Sequence, residues 1–303
     1  MKHMKGVEPT ATEAQPKKRR ILFDHPIITE VVFVVLDLLL ASAIIAAVKI
    51  AGVSLEGKTE LLATAGASIV AALLTTLFFH LYFRNEFDGI FEWSSFGLML
   101  TLPAYAFVFT NIFDFTAMQF VFLVPDTKIN SIPLCLALAL SPGIFEELLF
   151  RGIPASNWMR TAKDGGAIMK CAWATAIIFG LTHGFNAISG AAISATVYQI
   201  FYSACIGIFF CAVFLRTASI WPNIIIHTLV DFTAFLFMDM DKGVVLTQEL
   251  ELGLAFYVTL GLAIMLLLLG LFMLRKSKHE QIMQLWNRKW HKTGIVEQDR
   301  FLY

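Results

Sequence analysis

Three short stretches place ionisable side chains where the neighbouring residues are almost entirely apolar. The first reads Ser141-Pro142-Gly143-Ile144-Phe145-Glu146-Glu147-Leu148-Leu149-Phe150-Arg151. On a helix Glu147 and Arg151 stand four apart on one face, the spacing of an ion pair. Glu146 then lies about 100° around the same helix with no local cation, a carboxylate placed to accept a proton. The second stretch, Phe179-Gly180-Leu181-Thr182-His183, supplies an imidazole. The third, His227-Thr228-Leu229-Val230-Asp231, sets another imidazole and a carboxylate at i and i+4. Amide hydrolysis needs an activated water, a proton donor for the leaving amine and fixed donors for the tetrahedral oxyanion. These residue types can supply all three. No Ser-x-x-Lys or Gly-x-Ser-x-Gly nucleophile accompanies them, and no pair of aspartates suggests an intramembrane aspartyl protease.

The elements that carry these groups are set by composition. Of 303 residues, 57% are hydrophobic and 15% charged, against roughly 25% charged in soluble domains. The apolar residues fall in blocks of about 18 or more, long enough to cross a bilayer as helices. Eight spans are expected, near 31–48, 61–79, 94–112, from 132 into 146, 167–185, 190–215, 219–238 and 252–274. The predicted fold is therefore an all-α, polytopic membrane bundle. A charge at the bilayer centre costs roughly 2.5–3.5 kcal/mol even on lenient scales, so each one needs a partner or a use. With a rise of about 1.5 Å per residue, the three stretches meet only if the fourth helix continues through Arg151 towards Arg160, past a kink at Pro154.

Placing the segment before Val31 in the cytoplasm puts 19 of the 23 Lys and Arg on the inner side, leaving Lys49, Lys58, Lys128 and Lys242. This positive-inside bias predicts both termini in the cytoplasm. The division that follows is a basic tail over 1–26, a membrane domain over 27–274 with the chemistry in 141–231, and a basic tail over 275–303. The latter is expected to form an interfacial amphipathic helix from Ile282, Met283, Leu285, Trp286 and Trp290. Cys135, Cys171, Cys205 and Cys211 have no metal-ligand spacing and read as packing residues. Asp37 reads as a packing or helix-end compromise. Ser203 and Gly207 have the small-x-x-x-small spacing of closely approaching helices, and Gly180 offers the same beside His183.

The ordered set Glu-Glu-x-x-x-Arg, Phe-x-x-x-His and His-x-x-x-Asp on successive hydrophobic helices resembles the type II CAAX prenyl endopeptidases and their bacterial relatives, the CAAX protease and bacteriocin-processing family. The segment Arg216-Thr217-Ala218-Ser219-Ile220-Trp221-Pro222 is similar to that family's approach to its last motif. The resemblance covers about 141–231. It implies an intramembrane endopeptidase acting on hydrophobic or lipidated peptides, or a bacterial role in peptide maturation or immunity. By position, Glu146 matches the water-activating carboxylate, His183 its partner in holding the water, and His227 with Asp231 the oxyanion-stabilising groups. Glu147, Arg151 and Phe179 match supporting residues. Some relatives have Asn where Asp231 stands. An ionised Asp only accepts hydrogen bonds, so Asp231 is expected to orient His227 and keep its other nitrogen a donor.

Glu146, His183, His227 and Asp231 are also acceptable zinc ligands. No His-Glu-x-x-His helix is present, however, and using both histidines as ligands leaves no evident oxyanion donor. The expectation is metal-free catalysis with no cofactor. The expected partners are a hydrophobic or lipidated peptide and membrane lipids, with no nucleic acid; the sequence leaves oligomeric state open. Two other readings stay open: a non-catalytic peptide-binding or immunity protein using the same cavity, and a proton-coupled transporter using the same ionisable groups as a relay.

Overall fold

The computed structural model describes residues 22–93, 130–237, 249–250 and 252–292. Their regular structure is helical, with no strand among them. The helices are α1 (Pro26–Ile50), α2 (Lys58–Tyr82), α3 (Ile132–Glu147), α4 (Pro154–Thr161), α5 (Gly166–Thr182), α6 (Phe185–Ile188), α7 (Ile193–Thr217), α8 (Trp221–Phe237), α9 (Leu254–Met273) and α10 (His279–Lys289). Six helical stretches are long and apolar enough to cross a membrane. The 17-residue α8 lies where the seventh span was expected but is not one of these six. The expected span over 94–112 lies outside the described residues, as do 1–21 of the basic tail and 293–303 of the other.

Three boundaries differ from the expectation in ways that matter. Helix α1 begins at Pro26 because proline's fixed φ and missing N–H suit the first helical position, so Glu30 lies inside the span and not before it. Helix α5 ends at Thr182 with His183 as its cap, so His183 stands at a turn inside the span, which runs on over Gly166–Ile188. The fourth span does continue, covering Ile132–Thr161, but through a π-helical turn at Leu148–Gly152. There the Ile153 N–H reaches back five residues to the Leu148 carbonyl at 3.0 Å. Pro154 follows directly. Its missing donor and its ring would disrupt an α-helical ladder at this point, and the wide turn accommodates both.

Small residues determine how closely the helices approach. A Cβ added to Gly143 of α3 would lie 2.1 Å from Thr228 Oγ1 and 3.0 Å from the Thr228 nitrogen of α8, so only glycine lets these helices touch at that level. The expected contact at Gly207 is found against Ala176 of α5, where an added Cβ would sit 2.9 Å from the alanine methyl. Gly180 meets the Ile200 carbonyl of α7 in the same way. The four cysteines are buried and free, consistent with packing residues.

Helix α10 has the expected amphipathic pattern, and its apolar side is buried against the protein. Ile282 and Trp286 are fully buried. The Trp286 indole donates to the Leu215 carbonyl at 2.9 Å, and that of Trp290 donates to the Ser156 carbonyl at 3.0 Å. Phe87 stacks on Trp290 at 4.1 Å, while Lys289 pairs with Glu92 at 2.8 Å. The tail thereby ties the ends of α4 and α7 to the loop after α2.

Candidate active site

The carboxylates of α3 diverge from one another. Glu147 is fully buried and accepts three hydrogen-bonding groups. Arg151 Nη1 donates to its Oε1 at 3.0 Å, His227 Nδ1 to the same oxygen at 2.7 Å, and Asn223 Nδ2 to Oε2 at 2.9 Å. Asn223 also donates to the Phe210 carbonyl at 2.9 Å, which fixes its amide. The expected Glu147–Arg151 pair is therefore present, but the same carboxylate also grips α8. Asn223 and His227, four residues apart on that helix, present one face to it.

Aromatic rings enclose this network. The Arg151 guanidinium lies 4.4 Å from the Phe179 ring centroid and 5.3 Å from that of Phe210. Phe210 also stacks on His227, with centroids 5.1 Å apart and planes 18° apart. Phe179 stands edge-on to His183 at 5.0 Å and to His227 at 6.4 Å. A cation held against two ring faces, with its carboxylate hydrogen-bonded on both oxygens, is an arrangement that favours buried charge.

On the other side of His227 the chemistry faces open space. Its Nε2 is 3.6 Å from Glu146 Oε2 and 3.5 Å from Asp231 Oδ2. These groups and His183 line one cavity of about 760 Å³, whose wall is otherwise mainly apolar, including Phe145, Leu149, Phe209 and Leu266. Glu147, Arg151 and Asn223 do not line it; they lie behind His227. His183 Nδ1 is 3.0 Å from the Phe179 carbonyl. A carbonyl can only accept, so Nδ1 carries the hydrogen, and Nε2 is an acceptor whenever the ring is neutral.

The structure thus brings Glu146, His183, His227 and Asp231 to one cavity and puts Glu147, Arg151 and Phe179 around it. Asp231 was expected to orient His227 and keep its other nitrogen a donor; in the structure Nδ1 is held by Glu147. Asp231 sits one turn further along α8 and reaches the same Nε2 that faces Glu146. Two participants escaped the sequence reading. Asn223 had a legible signal, a polar amide four residues before His227 in an apolar helix. Phe210 had none among 28 phenylalanines. Among the described residues no three His, Cys, Asp or Glu side chains are grouped so as to hold a metal ion.

Residues 128–233 match the family model described as type II CAAX prenyl endopeptidase Rce1-like. The matched region begins just before α3, ends within α8 and contains every residue of the network and all four ionisable groups on the cavity wall. No curated protein and no solved structure gives a significant match. The match covers about a third of the chain, in a protein with six helical stretches long and apolar enough to cross a membrane.

Proposed function

We propose that this chain, carrying the Rce1-like type II CAAX prenyl endopeptidase pattern over residues 128–233, hydrolyses a peptide bond in a hydrophobic or lipidated substrate with water activated by Glu146. The observation that carries the reading is the division of His227: Nδ1 is held by Glu147 at 2.7 Å, which leaves Nε2 directed at the cavity beside Glu146. An imidazole fixed on one nitrogen presents the other in a constant direction, as an oxyanion donor must.

In this reading a water between Glu146 and His183 loses a proton to the Glu146 carboxylate while His183 Nε2 accepts its other hydrogen. The oxygen adds to the substrate carbonyl. The resulting oxyanion is met by the Nε2–H of a protonated His227, whose charge is balanced by Asp231. Glu146 then delivers its proton to the leaving nitrogen as the C–N bond breaks, so no covalent enzyme intermediate forms. Glu147 and Arg151 act through His227. They are positioning residues.

The test compares purified wild-type protein with Glu146→Gln on prenylated and unmodified hydrophobic peptides, with and without stringent chelation. Loss of the base is expected to lower kcat at least about 10²-fold, with wild-type activity surviving chelation. Equal cleavage by the two proteins would remove Glu146 from the mechanism. Loss of wild-type activity on chelation, restored by zinc, would replace it with metal-assisted hydrolysis.

A further inference from the structure

The cavity wall is not uniformly apolar. Where α6 begins, Asn186 Nδ2 donates to Gln199 Oε1 of α7 at 2.9 Å, and both side chains line the cavity. Two amides joined by one hydrogen bond retain one carbonyl oxygen and one NH2 group, here Asn186 Oδ1 and Gln199 Nε2. Both residues are only partly buried. The pair therefore presents an acceptor and a donor side by side to a chamber lined chiefly by aromatic and aliphatic groups.

That pattern is the complement of a peptide group, which has one N–H and one C=O. A prenyl or acyl chain has neither. A polypeptide entering an apolar chamber away from water must find partners for its main-chain groups or lose several kcal/mol for each. We infer that Asn186 and Gln199 form a clamp for the substrate's backbone, receiving its N–H on Asn186 Oδ1 and its C=O on Gln199 Nε2. The inference rests on the peptidase reading of the same cavity, which it refines by requiring an extended polypeptide on one side of the cleaved bond.

The position of the clamp also fixes the register. The Asn186 N–H donates to the His183 carbonyl at 3.0 Å, so the two side chains are three residues apart on a single turn, about 5–6 Å between Cβ atoms. An extended chain advances about 3.3 Å per residue. The clamped amide therefore lies roughly two residues from the bond held at His183 and Glu146. Recognition through main-chain groups fixes register and leaves side-chain identity to the apolar walls, as in strand addition to a sheet edge.

The experiment measures binding of a dye-labelled octapeptide of alternating Leu and Ala to detergent-solubilised Glu146→Gln protein, so that binding is read without turnover. A set of analogues carries a backbone ester in place of one amide at each position. One position is expected to lose about fivefold in affinity and the others little, since a neutral hydrogen bond has a modest net value. In the Asn186→Leu and Gln199→Met backgrounds the all-amide peptide should bind about fivefold more weakly, and in Asn186→Leu, which removes the acceptor of the substrate N–H, the position-specific ester penalty should be gone. Thermal unfolding of each variant checks its fold, and Gln199→Met, close in shape to the native side chain, serves if Asn186→Leu is unstable. Unchanged affinity in Gln199→Met, an ester penalty that survives in folded Asn186→Leu, the absence of any sensitive position, or no binding of the all-amide peptide would each overturn the clamp. Position-specific binding without cleavage by the wild-type protein would leave the clamp standing and overturn the hydrolase reading alone.

Discussion

Two sets of buried carboxyl groups in the same bundle are handled in opposite ways. Behind the cavity, Glu147 has hydrogen-bonding partners on both oxygens and from two helices. On α1, Glu30 and Asp37 are as deeply buried, yet among the described residues neither oxygen of Glu30 nor Oδ1 of Asp37 has a hydrogen-bond partner. Arg151 lies within electrostatic reach of Glu30, and its Nε and Nη2 are themselves unpartnered. Direct bonds fix an angle; proximity alone does not. Glu147 therefore fixes the direction of an imidazole, whereas Glu30 makes no direct bond that could hold a neighbour and Asp37 meets only the Thr75 hydroxyl. Burial of charge by itself does not identify a working residue; the bonds around it do.

That contrast can be broken most forcefully at Glu147. Glu147→Gln leaves the Arg151 guanidinium without its bonded counter-charge and sets an NH2 against the Asn223 donor. Removing one partner of a buried pair costs about 3–5 kcal/mol. Thermal unfolding in detergent should show this loss, together with a fall in kcat. Gly143→Ala comes next, because its methyl would overlap Thr228 Oγ1 and push α3 from α8. Overpacking of this kind costs about 1–3 kcal/mol, and kcat/KM should fall with stability, since the two helices carry Glu146 and His227. Asp231→Asn preserves shape and removes only one of two carboxylates beside His227 Nε2, so kcat should fall by no more than about tenfold, within the value of a screened, partly solvated charge pair. Smallest of all, Glu30→Gln and Asp37→Asn should leave cleavage and unfolding temperature nearly unchanged. A loss from Glu30→Gln comparable to that from Glu147→Gln would erase the distinction between the two carboxylates.

The helices were readable because long apolar runs have few alternatives in a bilayer. The longer fourth helix was also legible, since Glu146 could meet His183 only if the helix continued past Arg151. Its π-helical turn was not, because five ordinary residues, Leu148 to Gly152, carry no local sign of a wide turn beyond the proline that follows. Spacing within one helix paired Glu147 with Arg151, but it said nothing of the second bond to His227, which depends on the α3–α8 contact at Gly143. The nitrogen that Asp231 meets was not legible for the same reason: an i, i+4 pattern states that two side chains share a face, not which imidazole nitrogen each will meet. The amide pair drew no notice in the sequence. Asn186 and Gln199 are thirteen residues apart, and only the chain reversal between α5 and α7 brings them together.

A π-helical turn is in effect an α-helix with one residue too many. Leu148–Gly152 is accordingly the place where this helix could lose a residue and remain a helix. Such a deletion would rotate the two flanking segments against each other by about 100°, carrying the carboxylates and the segment beyond the turn to different faces. Read in the other direction, a single inserted codon in a plain hydrophobic span could have supplied the phase shift that lets one helix serve two neighbours at once. Families of related chains can be sorted on that criterion, by whether they retain the extra residue.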